Sequence, residues 1–400
     1  MKILCLTTVF PLPLDAGGRV RMLGLLRALA AEHRVHLLTL AAPDAPLDDL
    51  AARLGPDAMV EAFPPLPQGA RTASGRALRW ARALAAGVPT WCAAGLSPEM
   101  RRRAHDLARH ADRLVVLDDR ALVYLDELVS PPATVFDCQY VRGGRAGEPG
   151  ATRALDAVQV VLDRRLVRRF LRRHLAAVDT IVVTSAEEAR NLEDLYGRRA
   201  DAVVPSAVDV PHQPASPCDD ATVVCVGDMG WGPNVEGLTR FLAQAWGPLG
   251  RQGARLLVAG RDAPPALRRL AEASSGVSLL GYVPDLAALL DRAAVSVAPV
   301  WSGGGVRLKT LTMLAAGLPL VATPAALEGI AAEPGRHCLV APAPEDFTAA
   351  VGRLLADRAL RRRLGDEGRA LVAQHYSWKA VGPRFVEAVE GTARSPEPAR

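Results

Sequence analysis

The sequence predicts an α/β protein built from two doubly wound domains in tandem. Short, fully apolar runs alternate with amphipathic helical stretches, which is the pattern of parallel strands covered by helices on both faces. The alternation stops in the segment VPSAVDVPHQPASPCDD, whose Pro, Ser and Asp content predicts a linker, and it restarts at Thr222. With 400 residues, half of them hydrophobic, the chain can form two separate cores.

Each half contains its own series of strands. The first begins with KILCLTTV and continues through VHLLTL, RLVVLD, ATVFD and TIVVTS. The second begins with TVVCVGD and continues through ARLLVAG, GVSLLG, AVSVAPV and LPLVATP. We therefore predict a first domain over residues 1–208 and a second over 218–376. A final helix over 377–392, which we expect Gly382–Pro383 to interrupt, is predicted to cross back onto the first domain.

The composition limits the class of partner. The formal charge of +5 suits an anionic ligand, and the aromatic content of 4% argues against stacking of nucleic-acid bases. None of the six cysteines forms a CxxC pair, so neither a zinc site nor a disulfide framework is indicated, and we expect a reducing cytoplasm. The apolar start is short and is broken by Pro11 and Pro13, so we expect membrane contact to be peripheral at most.

The strongest candidate site is the segment WSGGGVRLKTLTMLAAGLPLVATP, which follows the predicted strand AVSVAPV. Its glycines expose backbone N–H groups, and two cations stand in the first turn of a helix. Residues at i and i+2 do not share a helical face, so both cations can meet one ligand only if the helix begins about there. A diphosphate would suit such a site, whereas the alternative is a solvated helix start with two surface cations. The site residues are Ser302, Gly303, Gly304, Gly305, Val306, Arg307 and Lys309.

Three further segments are candidates. Gly17 and Gly18, after the first strand, permit a ligand to approach a helix N-terminus, although a turn with positive φ would need the same residues. Asp137 ends a predicted strand, where it serves either in the site or as a turn cap. The arginine-rich helix Arg164–Val178 could meet an anionic membrane or a phosphorylated acceptor, but its apolar stripe favours a core-facing helix with a solvated back.

Several motifs are missing from the sequence. It has no Asp-x-Asp pair, so we expect no carboxylate-bound divalent metal. It also has no GxxxxGK[ST], HExxH or GxSxG motif and no strong fingerprint of a dinucleotide redox cofactor. We therefore predict that the protein works without a metal or a bound cofactor.

Taken together, the motifs resemble glycosyltransferase family 4 over nearly the whole chain. The resemblance rests on VVPSAVDV, VCVGDMGWGPNVEGLTRFL, LLVAGRD, LLGYVPDLAALLDRAAVSVAPV and GGGVRLKTLTMLAAGLPLVATP, in that order. It implies a GT-B fold, in which two Rossmann-like domains enclose a cleft. It also implies a nucleoside-diphosphate sugar as donor, retention of anomeric configuration and no metal requirement. The acceptor, a small molecule, glycan or lipid, would bind mainly to the first domain.

The resemblance also assigns roles by position. The diphosphate would lie at Gly303–Val306 with Arg307 and Lys309, which would stabilise charge on the departing phosphate. The nucleobase would meet the loop Gly281–Pro284. Asp137 falls where many relatives have a His that contacts the sugar. The other residues assigned to the donor site are Gly227, Arg261, Tyr282, Val283 and Thr312.

The sequence departs from the family at important positions. Two acidic residues, eight apart, are replaced by Gly304 and Thr312, and the second normally holds the ribose diol. The segment GDMGWGPNVEG lacks the usual basic pair, so Arg307 and Lys309 would take over that duty. Ser206–Ala207 replaces the usual Asn-Gly. Three hypotheses follow: a retaining glycosyltransferase, a catalytically silent sugar-nucleotide binding partner, and a sugar-nucleotide epimerase of the same fold.

Overall fold

A computed structural model describes residues 1–65, 80–142 except 82, 84, 86 and 94, then 154–215, 220–303 and 305–391. The chain forms two compact units. One comprises Met1–Pro205 with Gly382–Arg400, and the other comprises Ser206–Val381. Both are α/β, and each has a parallel sheet of its own, which confirms the predicted fold class.

The first unit contains a seven-stranded parallel sheet in the order β3-β2-β1-β4-β5-β6-β7. Its strands are β1 (Lys2–Thr7), β2 (Arg34–Leu40), β3 (Met59–Phe63), β4 (Arg113–Val116), β5 (Thr134–Cys138), β6 (Thr180–Val183) and β7 (Ala202–Val203). The helices described in this unit before its C-terminal segment are α1 (Gly17–Ala30), α2 (Leu47–Leu54), α3 (Thr90–Ala93), α4 (Pro98–Ala108), α5 (Ala154–Ala176) and α6 (Ala186–Tyr196), with a 3-10 turn over Ala121–Glu127.

The apolar runs of the sequence become the central strands because both of their faces are covered. In β1 every residue after Lys2 is buried, and all five residues of β5 are buried. The arginine-rich helix α5 packs Phe170, Leu171 and Leu175 into the same core, and its arginines from Arg165 onward are exposed. The helix therefore has the core-facing stripe and solvated back that its sequence favours.

A buried ion pair fixes helix α1 to the middle of this sheet. The Arg21 Nη2 and Asp137 Oδ1 atoms are 2.5 Å apart, and the two residues are 1% and 0% exposed. Arg21 Nε also donates to both carboxylate oxygens, and Nη1 donates to the Pro205 carbonyl at 2.9 Å. Such a pair is costly to desolvate but is fully satisfied here, so it ties α1, β5 and the segment after β7 into one arrangement.

The second unit contains a six-stranded parallel sheet in the order β10-β9-β8-β11-β12-β13. Its strands are β8 (Thr222–Val226), β9 (Arg255–Ala259), β10 (Val277–Gly281), β11 (Val295–Ala298), β12 (Leu320–Ala322) and β13 (Leu339–Val340). Its α-helices are α7 (Gly232–Phe241), α8 (Gly247–Arg251), α9 (Pro265–Glu272), α10 (Leu286–Leu290), α11 (Leu308–Ala315), α12 (Pro344–Ala356) and α13 (Arg358–His375). A π-helical turn, Leu242–Trp246, joins α7 to α8, and a 3-10 turn covers Pro324–Leu327.

The structure contradicts the prediction of a separate linker. The part of that segment that the structure describes is hydrogen-bonded to residues of the second unit. The Val208 amide donates to the Tyr376 carbonyl at 2.9 Å, and the Ala215 amide donates to the Ala316 carbonyl at 2.7 Å. The Arg369 guanidinium donates to the Pro211 and His212 carbonyls of this stretch and also to the Ala315 carbonyl of the second unit. The proline-rich composition of the predicted linker therefore reflects an irregular path over the surface of the second unit.

The last described helix, α14 (Trp378–Glu390), runs without interruption through Pro383, contrary to the expected break. From Gly382 onward it belongs to the first unit. A Cβ at Gly382 would lie 3.2 Å from the Ala28 Cβ, so the missing side chain admits helix α1. Arg113 further holds the helix end by donating to the Val389 and Glu390 carbonyls. Loss of a single backbone N–H at the proline is offset by this packing.

The described residues contain neither a membrane-spanning helix nor a cluster of metal ligands. No helix in this part of the chain combines the length and the apolar character needed to cross a membrane. Nor does the same part bring three or more His, Cys, Asp or Glu side chains into an arrangement that could hold a metal ion.

We predict that Asp137→Asn strongly destabilises the first unit. It leaves the Arg21 guanidinium buried against a neutral partner, and breaking a buried pair costs about 3–5 kcal/mol. Denaturant unfolding measures the change. The matched control is Asp49→Asn, which breaks an exposed i,i+4 pair with Arg53 in the same unit and is expected to cost less than about 0.5 kcal/mol. Equal stability of the two variants would contradict the structural role of the pair.

Candidate functional site

The candidate site lies at the carboxyl edge of the second unit's sheet, where β8 and β11 are neighbours. The strand order reverses at this pair, because β9 and β10 extend to one side and β12 and β13 to the other. Loops that leave such neighbouring strands diverge to opposite faces and open a crevice, which is where doubly wound sheets bind ligands. The loop after β8 leads into α7, and the loop after β11 leads into α11.

Glycines allow these elements to pack closely. A Cβ on Gly237, in helix α7, would lie 1.9 Å from the Pro299 carbonyl oxygen, and a Cβ on Gly260 would lie 1.7 Å from the Gly227 carbonyl oxygen. Gly227 itself faces the site, because a Cβ there would lie 2.9 Å from Asn234 Nδ2 and 3.2 Å from Lys309 Nζ. Side chains at these positions would push the two loops apart.

The glycine-rich loop after β11 is shaped by Arg307. Gly303 and Gly305 have φ values of 90° and 82°, a conformation that favours glycine, and Gly304 lies outside the described residues. The Arg307 guanidinium donates to the Ser302 carbonyl at 3.2 Å and to the Gly305 carbonyl at 3.0 Å. Arg307 therefore fixes the loop in addition to bringing a positive charge to it.

The aromatic ring of Trp231 covers the other side of this guanidinium. The Arg307 Cζ atom lies 5.0 Å from the ring centroid, within the range of a cation–π contact. The ring also abuts the glycine loop, since a Cβ on Gly303 would lie 2.8 Å from it. Trp231 is nevertheless 38% exposed, so part of it faces solvent.

Arg307 precedes the first residue of helix α11, and Lys309 lies within its first turn. This is the arrangement in which both cations can meet one ligand. Helix α11 begins at Leu308, with Arg307 at the N-cap and no side chain capping it. Lys309 Nζ donates to Asn234 Oδ1 at 2.5 Å. The pKa of Lys309 is lowered to about 8, mainly because burial disfavours the charged ammonium; Cys225 acts in the opposite direction, and the nearby Arg307 contributes to the lowering. The helix N-terminus adds its own partial positive charge.

The residues expected around a nucleobase lie on a loop at the same edge of the sheet. Val283 and Val306 are both partly buried against one core cluster. Tyr282 is 62% exposed and follows Gly281, whose φ is 69°. The Gly281 carbonyl accepts from the Gly260 amide at 2.8 Å, which ties this loop to the end of β9.

Two other predicted site residues, Arg261 and Thr312, contact neighbouring protein atoms. The Arg261 Nη2 atom is 3.8 Å from Asp228 Oδ2, and its side chain is 43% exposed beside the loop after β8. The Thr312 hydroxyl donates to the Leu308 carbonyl one turn earlier, at 2.9 Å. Its hydrogen is therefore committed to the helix, and only the lone pairs of its oxygen can serve a ligand.

Sequence reasoning missed Asn234 and Trp231. Their segment, GDMGWGPNVEG, contributes to the family resemblance and contains Gly227, but the sequence assigned no role to either residue. A usable signal was the presence of a tryptophan within a glycine-rich loop at a strand end, in a chain with 4% aromatic residues.

In the first unit, Gly17 and Gly18 are the first residues of helix α1. Neither has positive φ, so the alternative of a turn that needs it is wrong. A Cβ on Gly18 would lie 3.0 Å from Gln139 Oε1, which gives this glycine a packing reason. Asp15 and Arg19 form an ion pair of 2.7 Å beside them.

The structure does not support the predicted catalytic role of Asp137. The residue lies one position before the end of strand β5, but its carboxylate is fully buried and is occupied by Arg21. A carboxylate held in this way contributes to the fold and offers no accessible atom to a sugar.

The second unit is similar to known glycosyltransferases. Residues 220–357 match the family described as glycosyl transferases group 1, and this range lies within the unit. The MMP alpha-(1->4)-mannosyltransferase of Mycolicibacterium hassiacum is 38% identical over 109 residues. That alignment spans only 26% of either chain. The predicted family resemblance is thereby confirmed.

Solved structures match the fold over almost the full length. The sucrose-phosphate synthase from Thermosynechococcus elongatus aligns with a TM-score of 0.69 at 17% identity, over 98% of each chain. Anabaena HepE, in complex with UDP and glucose, aligns with a TM-score of 0.69 at 15% identity, over 98% of this chain and 100% of that one. A variant of S. aureus TarM aligns with a TM-score of 0.70 at 8% identity, over 97% of this chain and 99% of that one. At these identities the likeness establishes the GT-B fold alone.

Proposed function

We propose that the chain transfers a sugar from a nucleoside-diphosphate sugar to an acceptor, because residues 220–357 match the glycosyl transferases group 1 family. Transfer proceeds with retention at the anomeric carbon and needs no metal ion. The acceptor is a hydroxyl or amine of a small molecule, glycan or lipid bound to the first unit. The observation that carries the proposal is the pairing of Lys309 with the Arg307-braced glycine loop at the β8–β11 crevice.

This arrangement suits a diphosphate for three physical reasons. The N-terminus of α11, which no side chain caps, brings backbone N–H groups and a partial positive charge to the crevice. Lys309 supplies a compact ammonium, and Arg307 keeps the glycine loop in shape while adding charge. Positive groups that are already in place stabilise the charge that grows on the β-phosphate as the sugar departs. Side chains thus provide the charge that a metal ion would otherwise supply.

The remaining donor contacts follow from the same geometry. The loop with Tyr282 and Val283 offers a partly apolar surface for the base, and Thr312 offers one accepting oxygen to the ribose. The solved HepE complex contains UDP, which makes uridine diphosphate the first nucleotide to test. The mannosyltransferase relative makes mannose a donor sugar to include in the panel.

The second candidate is a catalytically silent sugar-nucleotide binding partner. It is favoured by Thr312, which stands where family members carry an acid and whose hydroxyl hydrogen is already used by the Leu308 carbonyl. A third candidate, a sugar-nucleotide epimerase of the same fold, would change the sugar without needing an acceptor.

A screen of donors distinguishes the three candidates. We expect slow release of nucleoside diphosphate from at least one sugar nucleotide in the presence of EDTA, because water can replace the acceptor. Mass spectrometry and anomer-resolved NMR of the released sugar measure turnover and configuration. Binding of donors without turnover would favour the silent partner, and an isomerised sugar nucleotide would favour the epimerase.

The two cations are expected to carry donor binding. Lys309→Ala and Arg307→Ala each remove a charge-assisted contact or its support, and such contacts are worth about 1.5–3 kcal/mol. Titration calorimetry with uridine diphosphate measures the loss. Arg251→Ala removes an exposed cation in the same unit, just before β9 and thus at the opposite edge of the sheet, and serves as the control. Unchanged affinity in both site variants would place the diphosphate elsewhere.

A further inference from the structure

Lys309 is unusual within this sequence. The chain has 48 Lys and Arg residues, of which only Lys2, Lys309 and Lys379 are lysines. Arginine thus serves almost everywhere that a cation is needed, and the site is an exception. The geometry explains the exception, because Nζ lies 2.5 Å from Asn234 Oδ1, and a Cβ on Gly227 would lie 3.2 Å from it. A compact ammonium fits this space, whereas a planar guanidinium is larger.

The side chain that receives this ammonium is itself fixed. Asn234 lies in the first turn of α7 and is 6% exposed. Its Nδ2 donates to the Asp228 carbonyl at 2.7 Å, so its Oδ1 must face Lys309. Its backbone amide donates to the Trp231 carbonyl at 3.0 Å. The amide group therefore cannot flip without losing both side-chain hydrogen bonds.

We propose that Asn234 is a positioning residue, which holds the Lys309 ammonium in the β8–β11 crevice without cancelling its charge. The inference rests on the proposed function, in which that ammonium meets the donor diphosphate. An amide oxygen accepts a hydrogen bond from an ammonium and remains neutral, so the full positive charge stays available to phosphate. A carboxylate in the same place would pair with the ammonium and compete with the donor.

The environment of the Lys309 ammonium limits the pH range over which the site binds a diphosphate. Desolvation and the charge of Arg307 favour the neutral amine, and the Cys225 thiol, buried in β8, acts in the opposite direction. The pKa of Lys309 is lowered to about 8, so the ammonium dominates below that pH and is lost above it. Diphosphate affinity should therefore fall as the pH rises through this region.

Two substitutions test the role because they shift the titration in opposite directions. Asn234→Asp places a carboxylate beside the ammonium and should raise the pKa of Lys309 by about 1 unit or more. Asn234→Leu removes the acceptor in similar volume and should lower that pKa. Thr239→Asp adds the same charge to the exposed side of the same helix and is the matched control.

Two readouts are needed on each full-length protein. With lysines labelled by ¹³C at Cε, the spectrum contains three side-chain signals, and Lys309→Arg assigns the one of interest. Its titration gives the pKa of Lys309 without any ligand. Calorimetry with uridine diphosphate across the same pH range gives the affinity profile. At neutral pH, Asn234→Asp should bind about tenfold more weakly or worse, since a charge-assisted contact is neutralised.

The outcomes separate this inference from the function on which it rests. Opposite shifts of the Lys309 titration and of the alkaline limit of binding, with the control unchanged, would support it. If uridine diphosphate binds with the same pH profile in all variants, the proposed role of Asn234 is overturned and the proposed function still stands. If the wild-type protein binds no nucleoside diphosphate at neutral pH, the proposed function fails and the phosphate role of the Asn234–Lys309 contact fails with it.

Discussion

The site depends on one topological constraint, which is that β8 and β11 are neighbours in the second unit's sheet. Because the strand order reverses there, the loops that leave these strands turn to opposite faces and keep an open crevice. Residues 75 positions apart in sequence, Asn234 and Lys309, meet across it. The close approach of Gly237 to Pro299 holds the two loops at this separation. Every contact attributed to the donor diphosphate follows from this adjacency.

Within the crevice, each cation is held by a neutral side chain from the opposite loop. Arg307 is covered by the Trp231 ring, and Lys309 is received by the Asn234 amide. Neither holder carries a negative charge, so the positive potential is kept for a ligand. This arrangement gives physical meaning to the missing acids, since a carboxylate on the glycine loop would have partly neutralised the two cations.

The first unit has the same architecture but uses the corresponding residues differently. A charged pair lies beneath the start of α1, yet Arg21 and Asp137 satisfy each other in full burial. Such a pair specifies how the helix meets the sheet and leaves no charge for a ligand. Charged residues at the sheet edge therefore serve structure in the first unit, whereas the proposed role of those in the second unit is binding, and the accessible charge distinguishes them.

The sequence was sufficient to predict the fold class, because fully apolar strands alternating with helices have few other solutions. It also indicated a glycine loop followed by a helix that begins near Arg307 and Lys309, since both depend on local residue types. It failed where a contact joins distant residues. Arg21 lies 116 positions before Asp137, so the burial of that carboxylate is a property of the folded sheet. Asn234 was overlooked for the same reason.

The proline-related errors have a similar origin. The predicted linker was inferred from composition, but its described part satisfies its backbone groups on the second unit. The predicted break at Pro383 ignored the packing of Gly382 against Ala28, which favours a continuous helix. Local conformational propensity has little influence on the final structure when tertiary contacts supply the missing hydrogen-bond partners and packing.

Hydrogen exchange of the full-length protein with uridine diphosphate tests the central claim most directly. Backbone amides are followed by mass spectrometry with uridine diphosphate, with uridine as the ligand that lacks phosphate, and with EDTA throughout. We predict that uridine diphosphate slows exchange in two segments, residues 227–234 and 302–309. Uridine alone should not slow exchange there. Protection at the start of α1, near Gly17 and Gly18, without protection in the β8 and β11 loops would contradict it.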